Sequence, residues 1–138
     1  MSMNQIQPNK DLSTTPYFGV VSQARQGVSR TLADEVAALV GLTDKEMAYI
    51  LSMTPRNLHY IKEDQRFGTT ASERLLLLKN VLLHALDTFN QKPAVVLQWL
   101  RNPIRELNDQ SPIQLMDTVT GFGLVDDVLG RLDHGIPA

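Results

Sequence analysis

Apolar residues recur along this chain with a helical period, and the breaks in that pattern fall at Gly, Pro and Asn. From Tyr17 to Gln26 they stand at positions 17, 18, 20, 21 and 24, which predicts a short helix ended by Gly27. A strand is the alternative there, because Val20 and Val21 are β-branched. From Ser29 to Val40 the pattern is cleaner. Ser29 reads as an N-cap, with Leu32, Val36, Leu39 and Val40 on one face. Gly41 follows as the residue past the helix end, and Leu42 as its apolar contact.

The densest stretch of the first half is LTDKEMAYILSMTPRNLHYIKED. Thr43 and Glu46 form a capping box and open a helix with Met47, Ile50 and Leu51 inward. Ser52-Met53-Thr54 ends it. Thr54 is a second N-cap and Pro55 takes the first helical position, where its missing N–H is not needed. The next helix turns Leu58 and Ile61 inward, and the loop DQRFG, Asp64 to Gly68, ends it. A helix-turn-helix needs a small residue midway along its first helix, a φ-permissive residue at the turn, and an apolar plug on the second helix. Ala48, Ser52 and Leu58 occupy those places. An ordinary helical hairpin is the bland alternative.

Thr70 and Glu73 predict another capping box, opening the longest helix, Ala71 to Phe89. Its stripe, Leu75, Leu76, Leu78, Val81, Leu82, Ala85, Leu86 and Phe89, is too wide for one contact. One side is expected under the helix-turn-helix, the other against the C-terminal part or a second subunit. After Asn90-Gln91-Lys92, Pro93 starts a helix with Val95, Val96, Trp99 and Leu100 as its apolar face. Asn102-Pro103 ends it. Ser111, Pro112 and Gln114 repeat the start signature, with Leu115, Met116 and Val119 inward. Thr120-Gly121 reads as a corner. Phe122, Val125, Leu129 and Leu132 then repeat at intervals of three, four and three, and Gly135 stops the last helix.

These elements predict an all-α chain in three parts: a mobile, polar arm over residues 1–14, a helix-turn-helix DNA-binding and dimerisation domain over 15–90, and a C-terminal helical module over 91–138. Composition agrees and narrows the classes. Hydrophobic residues make up 43% of the 138, enough for a packed core. No apolar run reaches the length of a membrane span, and no secretory leader pattern is present, so a cytoplasmic protein is expected. Cys is absent, which removes disulfides, thiol catalysis and thiolate metal sites. Three scattered histidines, with no nucleophile–base pattern and no phosphate-cradling loop, predict no enzyme, no metal and no cofactor. His84 and Trp99 read as packing residues, and His134 as a helix-end histidine that suits the dipole.

Net charge is −2, with no excess of either sign over residues 1–90 and the acidic excess over 91–138. That favours a protein partner over DNA for the C-terminal part. On the second helix of the motif, residues facing away from Leu58 and Ile61 would reach a major groove. Arg56 and Asn57 are the base readers by chemistry, since each can bond a base edge bidentately. Thr54, Lys62 and Arg66 suit phosphates, and His59 and Tyr60 complete the candidate DNA-binding set. Arg30 and Lys45 are weaker phosphate candidates. Because this set is thinly basic, a homodimer placing two such helices about one turn apart is expected.

The C-terminal run WLRNPIRELNDQSPIQLMDTVTGFGLVDDVLGRLDHGIPA resembles the toxin-binding domain of the Xre/MbcA/ParS antitoxin family. The residues that carry the likeness are Trp99-Leu100, Pro103, Leu107, Ser111-Pro112, Gly121, Val125, Leu129-Gly130-Arg131 and Gly135. The helix-turn-helix before it is similar to the Xre-like domain found ahead of this module in many members. Where many members have Gly in the turn before the small-Pro pair, this chain has Asn108, which tolerates left-handed backbone.

The resemblance implies the antitoxin of a type II toxin–antitoxin system. Its partners would be operator DNA and a RES-domain toxin acting on NAD, whose active-site entrance the C-terminal module covers. Autoregulation of the operon would follow from the helix-turn-helix. On this reading Asp126, Asp127, Arg131 and His134, with the tip Gly135, Ile136, Pro137 and Ala138, are the toxin-binding residues, and the apolar stripe of the last helix is internal core. Arg131 is equally an i, i+4 partner for Asp127. The alternative function is a dimeric helix-turn-helix transcription regulator without a toxin partner.

Overall fold

A computed structural model describes residues 12–135, and among them there are eight α-helices. They are α1 (Tyr17–Gln26), α2 (Arg30–Ala38), α3 (Asp44–Ile50), α4 (Pro55–Tyr60), α5 (Thr69–Thr88), α6 (Pro93–Arg101), α7 (Pro112–Leu115) and α8 (Val119–Asp133), with a 3-10 turn at Arg105–Leu107 between α6 and α7. The arm expected over residues 1–14 falls mostly outside the described residues. Thr15, just after it, is fastened to α5. Its N–H donates to Asn80 Oδ1 and its carbonyl accepts from Asn80 Nδ2, both at 2.9 Å, while buried Lys79 donates to its hydroxyl at 2.7 Å.

The local signals set most helix ends. α1 stops at Gly27, whose φ of +84 suits glycine, and a Cβ there would lie 2.7 Å from the Phe67 carbonyl oxygen. The Ser29 hydroxyl accepts from Leu32 N–H, and the Thr43–Glu46 capping box forms in both directions. At the turn after α3, Ser52 adopts φ +61. Its N–H bonds to Tyr49 O and that of Met53 to Ala48 O, the paired bonds of a left-handed helix stop. Thr54 caps α4 by accepting from Asn57 N–H at 3.0 Å.

α5 is the beam of the structure. Leu75, Leu76, Leu78, Val81, Leu82, Ala85 and Leu86 are buried all along it, against α1, α2 and α3 on one side and α6 and α8 on the other. One contiguous core therefore runs from Val20 to Leu129. The chain leaves α5 through Asn90 and Gln91, both left-handed, and α6 then buries Val96 and Leu100, with Trp99 tilted against Phe89 at 5.6 Å between ring centroids. Asn108 takes the left-handed conformation that its residue type allows. The Ser111–Gln114 capping box opens α7, and α8 lays Phe122, Val125, Val128 and Leu129 on α5.

Several sequence expectations need correction. No Thr70–Glu73 box forms. α5 begins earlier, at Thr69 after Gly68, because Ser72 turns its hydroxyl inward to accept from Val28 N–H at 2.9 Å and donate to Phe67 O. α4 ends at Tyr60 rather than running on through Lys62 and Glu63, since Ile61 is extended and Gln65 closes a turn on Lys62. The corner before α8 is not Thr120-Gly121. Thr118 caps α8, accepting from Gly121 N–H at 3.0 Å, and Gly121 lies inside the first turn. Val95 and Val119, each in the first turn of its helix, are exposed rather than inward, while the next turn of each helix supplies the buried face.

Candidate functional site

Two surfaces carry the residues singled out in the sequence. On the first, α3 and α4 form a helix-turn-helix with Ala48 and Leu58 completely enclosed at their crossing. Burying Leu58 turns the other face of α4 to solvent, and Thr54, Arg56, Asn57, His59 and Tyr60 all stand exposed on it. The Arg56 guanidinium lies 5.7 Å from the Tyr60 ring centroid, a cation–π contact that holds its planar fork over the helix. Lys62 is exposed too, but in the loop behind α4. Arg66 extends from the same loop and donates to the Gly27 carbonyl, so part of its guanidinium already serves the fold.

Arg30, a phosphate candidate from sequence, does structural work instead. It donates to the carbonyls of Leu58 and Ile61 and pairs with Asp34 at 3.0 Å, neutralising the carbonyl end of α4. The loop behind α4 is further pinned by Arg30 N–H to Gln65 O at 2.9 Å and the Thr31 hydroxyl to Glu63 O at 2.9 Å. A helix of six residues is thus clamped at both ends.

The second surface is α8. Its buried face leaves Thr120, Gly123, Leu124, Asp127 and Arg131 on the opposite side, one continuous stripe at helical spacing. Leu124 is 47% exposed, a large apolar side chain the sequence reading did not single out. Its signal was present: position 124 falls outside the three–four–three repeat of the buried stripe. Asp127 and Arg131 do not form the i, i+4 pair that one reading anticipated. An exposed i, i+4 pair gains too little in water to hold the long Arg131 side chain in one geometry.

Asp126 differs from Asp127. It turns toward α5 and meets His84 Nδ1 at 2.6 Å, while His84 Nε2 meets Asp133 at 2.6 Å. Burial pulls the His84 ring down, but the two carboxylates outweigh it and hold its pKa above the ordinary histidine value. Asp133 sits below the usual carboxylate range because the Thr88 hydroxyl and His84 both bond to it. His134 bonds through Nδ1 to Gly130 O at 2.7 Å, the helix-end role its position suggested. Gly135 ends the helix with φ +72; Ile136, Pro137 and Ala138 lie outside the described residues.

Polar ties join α3 and α5 to the elements that lead into α8. Arg101 on α6 bonds twice to Glu46 on α3, and Arg101 together with the Thr43 backbone keeps that carboxyl below its ordinary pKa against the effect of burial. The Tyr49 hydroxyl donates to Gln114 O at 2.8 Å; burial and nearby Asp117 push its pKa up. Arg74 on α5 donates to Asp117 O at 2.9 Å. A groove of about 720 Å³ opens between α5, α8 and the start of α1, lined mainly by Leu77, Val81, Phe122 and Tyr17 with Asp87 and Asp127 among its polar residues. Among the described residues no helix is long and apolar enough to cross a membrane.

Two family models match along this architecture. Residues 19–78 match the antitoxin Xre-like helix-turn-helix domain, and residues 84–135 match the antitoxin Xre/MbcA/ParS C-terminal toxin-binding domain. A protein of Yersinia enterocolitica serotype O:8 / biotype 1B named Antitoxin Xre is 29% identical over 118 residues, 85% of this chain and 80% of its own length. A protein of the same name in Photorhabdus laumondii subsp. laumondii is 35% identical over 71 residues, 51% of this chain and 48% of its own.

Proposed function

Because the chain belongs to the Xre antitoxin family, with a helix-turn-helix domain followed by a toxin-binding domain and no enzymatic role, we propose that it neutralises a RES-domain, NAD-targeting toxin in the cytoplasm and represses its own operon. The two ends of the molecule divide these tasks. The exposed face of α4 meets operator DNA in a homodimer, with Arg56 and Asn57 reading bases and Thr54, Lys62 and Arg66 on phosphates. The outward stripe of α8, with Asp126, Asp127, Arg131, His134 and the chain tip from Gly135 to Ala138, covers the entrance of the toxin's active site.

The observation that carries the toxin-binding half of this reading is the division of α8. Phe122, Val125, Val128 and Leu129 are spent on the core, whereas Leu124, Asp127 and Arg131 face outward inside the matched toxin-binding domain. An exposed Leu with opposite charges one and two turns further along the same face suits the anchor and rim of a protein interface. The test is co-expression with the product of the adjacent toxin gene. The triple variant Leu124→Glu, Asp127→Arg, Arg131→Glu should fold, retain operator binding and no longer protect cells. Undiminished protection would remove α8 from the toxin interface.

A further inference from the structure

His84 belongs to neither surface, yet its side chain bonds from α5 to two carboxylates of α8. Both of its ring nitrogens lie 2.6 Å from a carboxylate oxygen, Nδ1 from Asp126 and Nε2 from Asp133. A neutral imidazole has one N–H and one lone pair, and an ionised carboxylate only accepts. With His84 neutral, one of the two contacts would set a lone pair against a carboxylate oxygen. Both contacts together require the imidazolium.

The two carboxylates are not held alike. Asp133 has a second anchor, since the Thr88 hydroxyl lies 2.6 Å from its other oxygen, and Thr88 stands one turn along α5 from His84. The side chain of Asp126 is half exposed, and His84 is its bonded partner among the described residues. We propose that His84 is a proton-held clip: its imidazolium ties α8 to α5 through both carboxylates, and loss of the proton releases Asp126 while Asp133 stays with Thr88.

The surroundings favour the charged ring. Asp87 of α5, Asp127 of α8 and Tyr17 of α1 line the groove that His84 and Asp126 share, and His134 acts on Asp133 from the end of α8. A histidine raised above 6.5 contributes its full stabilisation below that value and loses it as pH rises through the folded pKa. Asp133, lowered from 3.8, contributes above that value and loses its share as pH falls through its own folded pKa. The clip is therefore closed below the ordinary histidine value and opens as pH rises through the raised folded pKa of His84. Its consequence for partner binding rests on the antitoxin reading above: Asp126 belongs to His84 at low pH and is free for the toxin at higher pH.

The test uses the full chain without toxin or DNA, so its failure is separate from a failure of the antitoxin reading. NMR of the imidazole nitrogens should show His84 titrating above 6.5, with the midpoint lowered by Asp126→Asn and by Asp133→Asn. The thermal midpoint should fall by a few degrees from about pH 6 to about pH 9, and His84→Gln should abolish most of that fall. A His84 midpoint at or below 6.5 in the unmodified protein would overturn the clip. An unchanged pH-dependent fall in the His84→Gln variant would do the same.

Discussion

Arg101 of α6 and Glu46 of α3 are joined by two hydrogen bonds, Nε to Oε2 at 2.8 Å and Nη2 to Oε1 at 2.9 Å. Glu46 also closes the capping box that starts α3, so one carboxylate both opens the helix-turn-helix and fixes the toxin-binding domain against it. The pair is partly solvated, which limits its worth. Arg101→Ala should cost about 1 kcal/mol in urea unfolding at neutral pH. Because the Glu46 pKa is lowered from 4.5, this contribution is present above that value and is lost as pH falls through the folded pKa. The difference between wild type and variant should accordingly shrink in acid; a constant difference would show that Arg101 acts through packing alone.

Ser52 holds a left-handed backbone, φ +61, at the stop between α3 and α4. A non-glycine residue there costs about 1–2 kcal/mol, and glycine's greater freedom when unfolded returns part of that difference. Ser52→Gly should raise stability by about 0.5–1 kcal/mol without altering operator affinity, as read from paired denaturation and DNA titrations.

Two glycines of α8 should respond in opposite directions. A Cβ at Gly121 would fall 1.5 Å from the Leu115 carbonyl oxygen, so Gly121→Ala must push α7 and α8 apart. The expected loss is about 3 kcal/mol. At Gly123 a Cβ would meet nothing within 4 Å, and Gly123→Ala should stabilise by about 0.5–1 kcal/mol through helix propensity. Equal effects at the two positions would contradict the close approach of α7 to α8.

On the proposed DNA face of α4, Arg56→Ala should weaken operator binding by roughly 1–3 kcal/mol and relax selectivity at one base pair. Lys62→Ala should weaken binding evenly across sequences and reduce the salt slope by about 1. A Lys62 variant that changes base preference would move that residue from the backbone to the base edge.

Much of the fold was legible because its signals are local. Ser29, Thr43 with Glu46, Thr54 with Pro55, and Ser111 with Gln114 each act within three residues, and each caps the helix it was expected to cap. The apolar stripe of α5 and the repeat of α8 were equally readable, since a helix face recurs at a fixed interval. The errors came where a tertiary demand outbid a local one. Thr70 and Glu73 had the spacing of a capping box, but α5 starts at Thr69, and the Ser72 hydroxyl in its first turn bonds to Val28 and Phe67. Arg30 looked like a free cation until the carbonyl end of α4 was placed beside it.

The sequence by itself marked the helices from Ser29 onward, pointed to a helix-turn-helix built on Ala48, Ser52 and Leu58, and gave the last helix one buried face, while it left Tyr17 to Gln26 between helix and strand. Only the tertiary structure decided which charges on that helix remain free. Asp126 and Asp127 are adjacent and chemically identical, yet the first is turned to His84, 42 positions away, and the second to solvent. No periodicity encodes such a pair: helical phase fixes which side of α8 each carboxylate leaves from, and only the packing of α8 on α5 brings a histidine to one of them.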